Sequence, residues 1–193
     1  MTARKTPMFS FFKAPITNKS PYRQITLRDA YLYISSDYAK DRTLRLRPIE
    51  DKEANRKFKS ASFDFVTFSG SFTRRNEAEL IEHSGYLVLD FDHLEDVQAV
   101  KAQLLKDPYF ETQLLFVSPN GNGLKWVIEI NVTGQYTHGE YFDAVSNYIR
   151  STHGIGVDKS GRDVCRVCFL GWDPDAYVHP RFLFIKKKHQ YDL

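Results

Sequence analysis

The stretch "LLFVSPNGNGLKWVIEI", residues 114–130, does most to limit the folds open to this chain. Two apolar runs flank Asn-Gly-Asn-Gly, and Asn-Gly is a strong hairpin signal because both residues tolerate positive φ. The runs therefore pair as neighbouring antiparallel strands, which excludes a purely parallel, doubly wound sheet. By alternation Leu124, Trp126, Ile128 and Ile130 take one face, and Lys125, Val127 and Glu129 take the other. The first set belongs to a core, so the charged set is expected on a free face.

A second run, "GYLVLDFDHL" (residues 85–94), is expected to be a strand that ends in two aspartates. Leu87, Leu89 and Phe91 share the face suited to packing on helices. Tyr86, Val88, Asp90 and Asp92 share the opposite one. Two carboxylates at one strand end can converge on Mg²⁺ or Mn²⁺, hard cations that take oxygen ligands and substrate phosphates. An alternative stays open: Asp92 is also placed to N-cap the helix expected in "LEDVQAVKAQLLK", with Glu95 completing a capping box.

Other segments complete an alternating pattern. "MFSFFKA" reads as a first strand, "FDFVTFSGSF" as a strand ending at Gly70, and "VCRVCFLG" and "RFLFI" as closing strands. "TLRDAYLYISSDYAK" reads as a helix with Thr26 as N-cap, "NEAELIEH" as a short helix, and "GEYFDAVSNYIRSTHG" as a longer one. Residues 40–60 lack clear periodicity and are expected to form a loop or lobe. Without repeats or linkers, residues 1–193 are expected to form one α/β (α+β) domain with a mixed or antiparallel sheet.

The hairpin glycines and asparagines can present backbone N–H groups to an anion, with Lys125 as a point charge beside them. An ordinary hairpin with an exposed lysine is the plainer alternative. "GVDKSGRDVCRVCFL" adds Asp158, its rival Asp163, and Arg166 within an expected strand, where a guanidinium suits a triphosphate or a carboxylate. "CRVC" is no half of a zinc site, because no second Cys or His pair accompanies it. The six histidines show no His-x-His or His-Glu-x-x-His spacing, and no Walker-type phosphate loop is present.

Taken in order, "FVTFSGSFTRR", "GYLVLDFDHL", "SPNGNGLKWVI" and "DVCRVCFLGWDPDAY" resemble the archaeo-eukaryotic primase–polymerase superfamily. More closely they resemble its VirE-N-type domain, found at the N-termini of primase–helicase-like proteins of bacterial mobile elements. The resemblance spans about residues 9–185. It implies an RRM-like sheet with helices on one face and an active site on the open face. It assigns Asp90, Asp92 and Asp158 to catalysis and to Mg²⁺ or Mn²⁺. Ser118, Asn120, Gly121, Gly123, Lys125 and Arg166 would bind nucleotide phosphates, and Arg74 and Arg75 nucleic acid. The implied partners are a nucleotide triphosphate, single-stranded DNA or a primer–template, and a replicative helicase in cis or in trans. The chain departs from the superfamily at Lys125, where relatives carry histidine. Two functions therefore stand side by side, a DNA primase/polymerase-type nucleotidyltransferase and a catalytically impaired binding module on the same fold. A D-x-D glycosyltransferase holding a sugar diphosphate is a third.

Charge discriminates little among these, since the net value is +3. It is uneven, however: residues 40–59 hold eight Lys/Arg against four Asp/Glu, and "KKKH" lies near the C-terminus. Two cysteines give no disulfide framework, and no run is long enough for a membrane span. A soluble cytoplasmic protein is expected.

Overall fold

The strand at residues 86–91 buries both of its faces, and the rest of the chain is arranged around that fact. In the computed structural model, which describes residues 6–132 and 134–183, β1 (Phe9–Phe12) and β2 (Arg23–Ile25) precede α1 (Leu27–Ser35), α2 (Lys40–Leu46) and α3 (Lys52–Ser62). Four strands follow: β3 (Phe65–Thr67), β4 (Gly70–Phe72), β5 (Leu80–His83) and β6 (Tyr86–Phe91). Then come α4 (Val97–Leu104), β7 (Thr112–Val117), β8 (Leu124–Glu129), α5 (His138–His153), β9 (Cys168–Phe169) and β10 (Tyr177–Val178). The fold is α+β and its strand pairings are antiparallel. One sheet has the order β2-β1-β3-β9, the other β10-β7-β8-β6, and β4 pairs with β5.

Alternation places the core as expected on the helix side of the second sheet. Leu87, Leu89, Phe91, Leu124, Trp126 and Ile128 pack with Leu104 of α4 and with Phe142, Val145 and Ile149 of α5. At roughly 1.5–3 kcal/mol for each fully buried large side chain, this layer contributes roughly 15–30 kcal/mol before entropy is counted. Trp126 can sit there because its Nε1–H donates to Thr112 Oγ1 at 2.8 Å.

The other face is less open than alternation suggested. Tyr86, Val88, Leu114, Phe116 and Val127 are buried against Phe9, Phe11, Val66 and Phe68, so the first sheet covers most of it. The end of β6 that carries Asp90, with Lys125 opposite on β8, is only partly covered. A sheet with apolar side chains on both faces must be covered on both, and here β1 and β3 supply most of the second cover.

Four local expectations are corrected. Residues 40–60 hold α2 and α3 in place of a loop; Asp51 accepts from Ala54 N–H at 2.7 Å as N-cap, and Asp41 pairs with Arg45 one turn on at 3.6 Å. "NEAELIEH" gives a 3₁₀ turn and then β5, because pairing with β4 outweighs the helix propensity of Glu, Ala and Leu. In "VCRVCFLG" only Cys168 and Phe169 are strand; the carbonyl of Asp163 accepts from Arg166 N–H at 3.0 Å, which turns the chain before it. "RFLFI" begins in a 3₁₀ turn over Pro180–Phe182, and its last two residues, like "KKKH", lie outside the described residues. Among the described residues no helix is long and apolar enough to cross a membrane.

Candidate functional site

Asp90, Asp92 and Asp158 meet: one oxygen from each lies within 4.8 Å of the others. The first two arrive by the two-residue period of β6 and its exit. Asp158 arrives by a backbone bond, its N–H donating to the Asp90 carbonyl at 2.9 Å. Asp158 also caps the 3₁₀ turn Lys159–Arg162, accepting from Ser160 N–H at 3.0 Å and Ser160 Oγ at 2.7 Å. Arg166 adds a bond to Asp158 at 3.2 Å. Burial pushes the Asp158 carboxyl up, but these donors and the nearby charges of Arg166 and Lys125 outweigh it, and its pKa falls below the ordinary carboxylate value. Asp163 stands apart; it accepts from the backbone N–H and Sγ of Cys165 at 2.9 and 3.0 Å, so geometry selects Asp158 of the two. Cys165 and Cys168 are both free thiols.

Three cations surround the acids. Lys125 faces Asp90 across the β6–β8 ladder, and its Nζ contacts Asp90 Oδ2 directly. Burial, with Lys59 and Arg166 close by, pushes the Lys125 ammonium down to about 8, while Cys168 and Asp158 work the other way. Lys59, from the last turn of α3, lines the same cleft, and burial lowers its pKa as well. Lys59 was not foreseen from the sequence, because a lysine among eight basic residues of one segment carries no mark of its tertiary position. The cleft measures about 150 Å³ and is lined by Asp90, Asp92, Ser118, Lys125, Arg166 and Lys59 among others.

The β7–β8 turn closes the cleft at close range. Ser118 N–H donates to the Gly123 carbonyl at 2.8 Å, and Asn122 holds the chain beyond Asp92 by accepting from Leu94 N–H at 2.9 Å. A Cβ on Gly123 would lie 2.4 Å from the Phe91 carbonyl oxygen, so only glycine lets the turn approach the end of β6. Gly121 takes φ +87°, as the Asn-Gly signal implied. Asp92 is no helix cap: α4 is capped by Asp96, whose carboxylate accepts from Ala99 N–H at 2.9 Å. The chain leaves Asp92 through His93 at φ 55°, a left-handed conformation uncommon outside glycine. Arg75 is turned to a structural task, donating to the Ile16 carbonyl at 3.1 Å and lying over Phe65, while Arg74 is exposed beside Lys19. Neither lines the acidic cleft.

Two histidines that no sequence spacing connects hold the Asp158 segment from behind. His138 Nε2 lies 3.2 Å from the Gly161 carbonyl and must donate to it. Gly85 N–H donates to His83 Nδ1 at 3.0 Å, so His83 carries its proton on Nε2 and gives it to His138 Nδ1 at 3.2 Å. Both rings are neutral in this chain of bonds. Burial, with His138 adding to it, lowers His83 to about 4, and burial lowers His138 against the pull of Gly161, Asp163 and Glu77. The unfolded chain therefore binds a proton that the folded chain refuses. Stability is full above about pH 6.5 and falls as pH drops toward about 4, by about 2 kcal/mol once solvent screening is allowed for. His83→Gln is expected to flatten that part of the pH dependence, read as the difference in urea unfolding at about pH 7 and about pH 4.5. An unchanged slope would show that His83 titrates normally.

The donor set suits a hard divalent cation. Asp90 Oδ1 is buried without a hydrogen-bond partner, as are Ser118 Oγ and Asn120 Oδ1. Oxygen ligands left unpaired beside two further carboxylates are what Mg²⁺ or Mn²⁺ requires. The fold and site thus define an α+β domain with a mixed-charge cleft at the end of one sheet. The chain belongs to the BT4734-like family: the family model for its N-terminal domain matches residues 57–178. That span contains every acid and cation of the cleft and leaves β1, β2, α1 and α2 outside. No curated protein and no solved structure matches the chain.

Proposed function

We propose that this is the metal- and nucleotide-binding domain of a primase–polymerase-type nucleotidyltransferase, working on single-stranded DNA or a primer–template in mobile-element replication. The observation that carries this reading is the convergence of Asp90, Asp92 and Asp158 with Lys59, Lys125 and Arg166 around one cleft. Paired carboxylates facing cations suit a phosphate chain and its counter-ion better than either alone. At about 150 Å³ the cleft is smaller than a typical small-molecule pocket, so base and sugar would lie outside it. A cytoplasmic site of action and a helicase partner, in cis or in trans, belong to the same proposal.

Asp90, Asp92 and Asp158 would hold Mg²⁺ or Mn²⁺, which there would neutralise phosphate charge and ease loss of the attacking 3′-hydroxyl proton. Lys59 and Lys125 supply compact positive charge to the phosphates, and Arg166 supplies a planar fork already oriented by Asp158. Ser118 Oγ, buried and unpartnered, is free to donate to a phosphate oxygen.

A second reading rests on one contact. Lys125 stands where the superfamily carries histidine, and its ammonium already sits on Asp90. A domain whose own lysine supplies that charge can bind nucleic acid or nucleotide without turning it over. Metal-dependent nucleotide incorporation on primed and unprimed single-stranded templates separates the two. Incorporation by the wild type, lost at least about a hundredfold in Asp90→Ala/Asp92→Ala, supports the enzyme. Metal-dependent nucleotide binding without incorporation supports the binding module. Absence of both overturns the assignment of this cleft.

A further inference from the structure

A second depression, remote in sequence from the acids, lies on the N-terminal part of the chain outside the family-matched span. Its volume is about 500 Å³, and Phe11, Lys13, Tyr22, Arg23, Tyr33 and Tyr38 are among its walls. Tyr22 and Tyr38 are 66% and 59% exposed, far more than a folding role requires of tyrosine. Between them stands Lys13, whose ammonium lies 5.7 Å from the Tyr22 ring centre and 5.2 Å from that of Tyr38. Lys13 donates to Tyr38 Oη at 3.1 Å and pairs with Asp64 at 3.3 Å, which fixes its direction. Asp64 is buried and bound by Tyr33 Oη, Ala14 N–H and Lys13, so its charge is spent inside the wall. The other acid, Asp29, is engaged in the capping box of α1 with Thr26. Tyr38 is also approached by Arg42, 4.9 Å from its ring centre, and by the Tyr33 ring at 5.0 Å, and Tyr22 by the edge of Phe11. What remains for a ligand is the exposed part of the two rings, with Lys13 and Arg23 beside them.

We infer that this depression seats a base of single-stranded nucleic acid, stacked on Tyr22 and Tyr38, with Lys13 and Arg23 meeting the adjoining phosphates. Aromatic faces interleaved with cations are the means by which single strands are bound without sequence preference. Charge complementarity selects this occupant over an extended peptide, which would pair along the free edge of β2 and leave the cations unused. The depression also lies close to the acidic cleft. Lys13 is part of its wall and Ile16 lines the cleft, and three residues of chain span no more than about 11 Å. A strand seated on the tyrosines therefore needs only a few nucleotides to reach the carboxylates. This inference rests on the reading of the chain as a nucleic-acid-binding protein, and not on its catalysing anything.

The test is fluorescence anisotropy with a labelled oligo(dT) and, separately, a labelled mononucleotide triphosphate with Mn²⁺. Tyr22→Ala and Tyr38→Ala are each expected to weaken oligonucleotide binding about tenfold or more. Tyr22→Phe keeps the ring and is expected to bind like wild type, and none of the three should change mononucleotide binding. Asp90→Asn is expected to do the reverse, losing mononucleotide and keeping oligonucleotide, so failure of the cleft and failure of this depression are told apart. Tyr22 is mostly solvent-exposed, so its variants keep the fold, and melting curves verify it. Wild-type oligonucleotide affinity in both alanine variants overturns the inference. So does a wild type that ignores single strands, or one whose tyrosine-dependent binding a free mononucleotide matches.

Discussion

Asp90→Asn is expected to cost at least about a hundredfold in Mn²⁺ affinity while the chain still folds. Of the three carboxylates, Asp92 is exposed and Asp158 is already bonded to Ser160 and Arg166. Asp90 alone combines burial with an oxygen that has no partner. Loss of groups that merely orient a metal ligand costs 10–100-fold, so loss of a ligand's charge belongs at or above the upper end of that range. Asparagine keeps the shape and an oxygen toward Lys125, leaving charge as the variable. The fold survives because the stranded lysine can respond. Breaking a buried pair costs about 3–5 kcal/mol when the remaining charge is trapped. Lys125, whose pKa burial already lowers, can give up its proton, which limits that cost.

Lys125→Met gives the complementary result. Lys125 and a divalent ion compete for Asp90, so removing the ammonium is expected to leave Mn²⁺ binding intact or tighter. Triphosphate affinity should fall about tenfold or more, since a charge-assisted donor is lost. Calorimetric titration with Mn²⁺ alone and then with a nucleotide triphosphate reads both effects. Wild-type Mn²⁺ affinity in Asp90→Asn would remove the metal from this site.

The acids were legible because strand alternation is a strict two-residue period: Leu87, Leu89 and Phe91 had to share a face, which sent Asp90 to the other. What alternation could not show is that Tyr86, Val88 and Val127 on that other face lie under a second sheet. Its strands β1 and β3 are distant in sequence, and a buried aromatic or valine looks the same in a chain whether it meets a helix, a sheet or a ligand. The helices of residues 40–60 were hidden for a related reason. No residue of α3 is fully buried, so it writes no apolar stripe; its marks are the Asp51 cap and a basic last turn. Lys59 enters the cleft only because that helix ends there. His83 and His138 are 55 positions apart, on a strand end and a helix start, and only the hydrogen-bond chain to Gly161 connects them.

Gly123→Ala is expected to lower the melting temperature by roughly 10 °C and to impair Mn²⁺ binding in the same variant. The added Cβ would lie 2.4 Å from the Phe91 carbonyl oxygen, 3.2 Å from Ser118 Oγ and 3.4 Å from Asp92 Cα. Ser118 can rotate, but the Phe91 carbonyl belongs to a strand paired on the next residue pair, Phe91 with Leu124, and cannot retreat. Overpacking against fixed atoms costs about 1–3 kcal/mol, and here the upper figure applies. For a chain of this size, each kilocalorie per mole moves the midpoint by about 2–4 °C. Relief comes by lifting the β7–β8 turn away from the end of β6. That movement carries Ser118 and Asn120 off the cleft, and releases the Asn122 carbonyl from Leu94 N–H, which steadies the chain just past Asp92. Stability and metal affinity should therefore fall together, although no ligand has been touched. Gly156→Ala supplies the control, since nothing lies within 4 Å of its Cβ position and its φ is not in the left-handed range; it is expected to be neutral or slightly stabilising. If Gly123→Ala melted and bound Mn²⁺ as the wild type does, the turn would have room to spare, and the close approach that joins the hairpin to the acids would not be what builds the cleft.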